Sequence, residues 1–63
     1  MTLHDAITKA KRFAAEGPRV AAVLHLNGKF DEFEAIPGYV DADTEHIKQV
    51  RLVTPDGQEW ARM

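Results

Sequence analysis

Residues 19–36 read RVAAVLHLNGKFDEFEAI, and the pairing of their two halves decides the fold. Val20, Ala22, Leu24 and Leu26 alternate along the first half, the period of a β-strand over 19–26. Asn27-Gly28 follows, two residues that both tolerate the positive φ of a hairpin turn. A return strand is then expected from Lys29 to about Ile36. A two-residue turn would pair Leu26 with Lys29 and His25 with Phe30. A three-residue turn with a glycine bulge would pair Leu24 with Phe30. The second is preferred, because it puts Leu24 and Phe30 together on the core side. A slip of one residue would reverse every side chain.

Upstream, residues 3–16 (LHDAITKAKRFAAE) have helical spacing. Leu3, Ala6, Ile7, Ala10, Phe13 and Ala14 fall within about 120° of arc. Thr2 is a suitable N-cap with Asp5 three residues on. Gly17 is expected to end the helix in the left-handed conformation, and Pro18 prevents its continuation. Downstream, Pro37-Gly38 breaks the return strand and residues 38–46 form an irregular segment. A third strand spans 47–54, with Val50 and Leu52 on one face. Pro55-Asp56-Gly57 makes a tight turn. A last strand spans 58–62, placing Trp60 opposite Leu52.

One helix followed by two hairpins predicts an α+β fold over 1–63, a single small domain. The N-terminal helix packs on a four-stranded antiparallel sheet. A small curved β-barrel with the helix as a plug is the alternative. With Leu24 on the core side, Ala21, Val23 and Val53 fall on the second sheet face. That face is expected to meet a partner or a second copy of the chain, giving a homo-oligomer.

Composition narrows the chemistry. A chain this short buries only about 60% of the surface exposed on unfolding. Cysteine and serine are absent, which removes disulfides, thiolate metal sites and the commonest nucleophiles. The four glycines each stand alone, unlike a phosphate-binding loop. Asp41-Ala42-Asp43-Thr44-Glu45-His46 alternates carboxylates, yet it lacks the glycine and the distant glutamate of a calcium loop. No metal site, cofactor or enzymatic activity is expected. The longest apolar run, Val20 to Leu24, falls far short of the roughly 20 residues that span a membrane. With no signal-peptide pattern either, a cytoplasmic location is expected.

The net charge of −2 hides an asymmetry. Residues 1–29 carry Lys9, Lys11, Arg12, Arg19 and Lys29 against Asp5 and Glu16. Residues 30–46 (FDEFEAIPGYVDADTEH) carry six carboxylates and no Lys or Arg. An acidic surface of Asp31, Glu32, Glu34, Asp41, Asp43 and Glu45, with Tyr39 as aromatic anchor, suits docking on a basic protein. The expected function is a small non-enzymatic protein–protein interaction module, a regulator or inhibitor. The alternative is nucleic-acid binding through Lys9, Arg12, Arg19 and Lys29, which the diffuse spread of positive charge makes the weaker reading. Trp60 and the phenylalanines are assigned to the core, so no aromatic platform for nucleic acid is evident. A third reading places His25, Glu32 and Glu34 in a site at an oligomer interface.

Overall fold

The structure is a computed structural model describing residues 1–27 and 31–61, with the side chains of Asn27 and Asp31 left undescribed. The Asn27-Gly28 turn type, the placement of Lys29 and Phe30, and the end of the last strand at Arg62 lie outside the described residues.

Helix α1 spans Leu3–Glu16. Thr2 caps it, its hydroxyl accepting the Asp5 N–H at 3.1 Å. At the other end Gly17 donates to the Phe13 carbonyl at 3.0 Å and Arg19 to that of Ala14 at 3.2 Å. Gly17 is not left-handed: its φ is −98°. The chain leaves the helix on these two bonds, and Pro18 then blocks any continuation.

The strands are β1 (Ala21–Asn27), β2 (Asp31–Pro37), β3 (Ile47–Val53) and β4 (Glu59–Ala61). They form one open antiparallel sheet in the order β2-β1-β3-β4, with α1 packed on one face, so the closed barrel is excluded. Trp60 lies opposite Leu52, as the sequence predicts.

Three expectations about the sheet are corrected. The first is the hairpin register. Leu24 lies opposite Glu34 rather than Phe30, and His25 opposite Phe33. In the expected register Asp31 would sit beside Val23, which is fully buried. The observed one puts Ala35 there, so no carboxylate is carried under the helix. The rings of His25 and Phe33 stack with centroids 4.8 Å apart.

The second correction is the face the helix covers. Ala6, Ala10 and Ala14, all fully buried, pack with Ala21, Val23, Ala35 and Val53. Leu24 and Leu52 stand on the opposite face. The reason is steric. The buried stripe of α1 is alanine, and small side chains on both layers let the helix lie close to the sheet. Val50 and Leu52 do not share a face either. A bulge in β3 leaves Val50 as an extra residue between Arg51, opposite Val23, and Gln49, opposite Leu24. Val50 thereby joins the helix-side cluster.

Strands β2 and β3 both run antiparallel to β1, from opposite sides, so they are parallel to each other. Residues 38–46 must therefore travel back along the sheet. That distance is about 20 Å for strands of this length. The segment reaches about 30 Å fully extended, which leaves little slack for a helix. Gly38, at φ +90°, turns the chain out of β2 while its N–H bonds the Val20 carbonyl at 2.7 Å. On the face away from the helix Ala22, Leu24 and Gln49 are buried. At the β3–β4 turn, Gly57 has φ +89° and donates to the Thr54 carbonyl.

Ala10→Leu should destabilise the fold by about 1–3 kcal/mol, because the added methylenes have no space between the two layers. Urea denaturation measures this; an unchanged midpoint would contradict close packing through alanine.

Candidate interaction surface

Gln49 organises the face opposite the helix. It is only 7% exposed. Its side-chain oxygen accepts the Val40 N–H at 2.8 Å, and its own N–H donates to the Asp43 carboxylate at 3.0 Å. Just before β3, the Thr44 N–H bonds the Ile47 carbonyl and the Thr44 hydroxyl accepts the Ile47 N–H. These bonds pin the crossing segment beside β3. Between them lies a cleft of about 370 Å³, lined by Tyr39, Val40 and Asp41 of the segment and by Gln49, Leu52, Trp60 and Ala61 of the sheet. Tyr39 is 63% exposed and Trp60 58%. Among the described residues, the one ionisable carboxylate in the lining is Asp41 and there is no Lys or Arg. The cleft therefore combines two aromatic surfaces with negative charge.

The expected acidic surface is divided. Tyr39 and Asp41 meet at the cleft. Asp43 is tied to the Gln49 main chain, and Glu45 is exposed. Glu32 and Glu34 lie on β2, across β1 from the cleft strands. Glu32 is 3.6 Å from the Met1 amino group. Glu34 accepts from Lys9 at 3.2 Å and from the Ala35 N–H at 3.1 Å. The side chain of Asp31 lies outside the described structure.

Two of the basic residues are engaged by carboxylates. Lys9 turns to Glu34 and lies 5.7 Å from the Phe13 ring centroid. Lys11 pairs with Glu59 at 3.0 Å. Arg12 and Arg19 are exposed, with Arg19 beyond the helix end. Lys29 lies outside the described residues. His25 stacks on Phe33 while the Glu32 and Glu34 carboxylates face Met1 and Lys9, so these three do not form a common site.

Sequence reasoning missed Trp60, which it assigned to the core. The available signal was its place on a short strand directly after a tight turn, where one neighbouring strand and no covering layer are expected. Gln49 and Val40 join the cleft through the crossing segment, which carries no periodicity to read.

The Ala35 N–H, and then Lys9, hold the Glu34 carboxyl below its usual value of 4.5. The Thr54 hydroxyl does the same for Asp56. Both groups carry a lowered pKa in the folded state. Their stabilisation is therefore present above the unfolded value and fades as pH falls through the folded one. Glu34→Gln should lower the urea midpoint at pH 7, and the gap from the parent should close toward pH 3. A gap independent of pH would disprove the assignment. Asp43→Ala should cost about 1 kcal/mol by leaving the Gln49 N–H without its acceptor, measurable in the same way.

No protein-family model, curated protein or solved structure matches this chain.

Proposed function

We propose that the chain is a small non-enzymatic protein–protein interaction module, a regulator or inhibitor that docks an acidic, partly aromatic surface on a basic partner. The observation that carries this reading is the cleft. The chain's single Tyr and single Trp both line it and both stand exposed, with Asp41 beside them. Tyrosine and tryptophan supply large contact area at little cost in conformational entropy, which is why they are enriched at interfaces. A Lys or Arg of the partner has a ring face to lie on and a carboxylate to approach. The division of the acidic residues narrows the docking surface to Tyr39, Asp41 and Trp60. Glu32 and Glu34 contribute to the field at longer range. Of the residues of the nucleic-acid alternative, Lys9 is engaged by Glu34 and Arg12 and Arg19 are exposed, so that reading stays second.

The test is capture of partners from native lysate after nuclease treatment, at low and high salt. A basic protein should be retained. Its affinity should fall about 10- to 30-fold for Trp60→Ala or Tyr39→Ala. Asp41→Asn should weaken it less and flatten its salt dependence. Recovery that disappears with nuclease, or a partner indifferent to all three changes, would overturn the reading.

A further inference from the structure

A sheet presents unpaired main-chain groups at its edges, from every second residue, and the hydrogen-bond phase identifies which residues these are. The Thr54 N–H bonds the Gln58 carbonyl at 2.9 Å. Two residues on, Trp60 therefore directs its main-chain groups inward to Leu52, and Glu59 and Ala61 direct theirs outward. At the other edge, the Gly38 bond to Val20 sets the phase, so Phe33, Ala35 and Pro37 face outward.

From Phe33 to Pro37 that second edge is closed. The Phe33 N–H bonds the Met1 carbonyl, and the Phe33 carbonyl accepts from the Met1 amino group. The Ala35 N–H is taken by the Glu34 carboxylate, and Pro37 has no N–H to offer. The part of β3 beyond Ala61 is closed as well, by Asp43 on Gln49 and Thr44 on Ile47. Among the described residues, β4 alone turns two successive outward donors, Glu59 and Ala61, to no described group.

We propose that β4 pairs antiparallel with β4 of a second copy of the chain, about a two-fold axis at Trp60, joining two sheets into one. The register is self-complementary. Glu59 lies opposite Ala61 of the other copy, where they exchange main-chain hydrogen bonds. Like charges are not directly opposed, and each Glu59 is already paired with Lys11 at 3.0 Å. Trp60 lies opposite Trp60 in the non-hydrogen-bonded pair, where Cβ atoms approach to about 5 Å, so the two indoles flank the axis, each beside its own cleft. The axis keeps both helices on one face and both Tyr39–Trp60 clefts on the other.

The chain has no cysteine of its own, which makes the register testable by cross-linking. The opposed Trp60 positions are about 4.5 Å apart at Cα, within disulfide range. Under mild oxidation Trp60→Cys should form a covalent dimer about tenfold faster than Glu59→Cys. Sedimentation equilibrium of the unaltered chain should show a monomer–dimer equilibrium below about 1 mM. Ala61→Pro removes one outward donor and spares the Leu52–Trp60 bonds. It should raise the dissociation constant about tenfold or more, with circular dichroism confirming the fold. A monomer at about 1 mM, a dimer indifferent to Ala61→Pro, or cross-linking no faster at 60 than at 59 would overturn the proposal. If Ala61→Pro fails to fold, the cysteine pair decides.

Discussion

The fully buried stripe of the helix is alanine, with Leu3, Ile7 and Phe13 packed partly buried beside it, and the rest of the arrangement follows from that. Ala6, Ala10 and Ala14 fit against a sheet face that is itself small, built from Ala21, Val23, Ala35 and Val53. Close approach compensates for small side chains, since packing density rather than residue size determines how many contacts form. Once that face is taken, Leu24, Leu26, Ile36 and Leu52 are left on the other. Among the described residues there is no second helix to cover them.

The crossing segment takes that place in part. The strand order makes it run the length of the sheet, and Gln49 holds it there through both its side chain and its main chain. The cover is incomplete at the β4 end, and the cleft with its exposed aromatics lies in that gap. The acidic residues of the segment thus have two different duties. Asp43 acts as a main-chain acceptor beside β3, a structural use of its charge. Asp41 remains at the cleft, where its charge bears on what can approach.

The hairpin shows where sequence reading succeeds and where it fails. Alternation marks β1 as a strand whichever register forms, because a period of two is local. The register itself depends on which residue of β2 must sit beside Val23, and that depends on where the helix lies. Ala35 fits there and Asp31 does not, a choice visible only once the helix is placed. Hydrophobicity alone, through Leu24 and Phe30, favours the other pairing. The bulge at Val50 is a further instance: Val50 and Leu52 share strand parity in the sequence, and one extra residue cancels it.

The helix limits, the turn at Pro55-Asp56-Gly57 and the pairing of Trp60 with Leu52 were legible from the residues. Each rests on interactions within a few positions of the chain: a capping hydroxyl, a glycine at positive φ, a short loop that admits one register. The candidate site was half legible. Tyr39 and Asp41 stood out as an aromatic and a charge outside any periodic element. Trp60, Gln49 and Leu52 did not, because their role comes from which sheet face the helix leaves open. That choice is made by packing between layers far apart in the chain, and no local pattern records it.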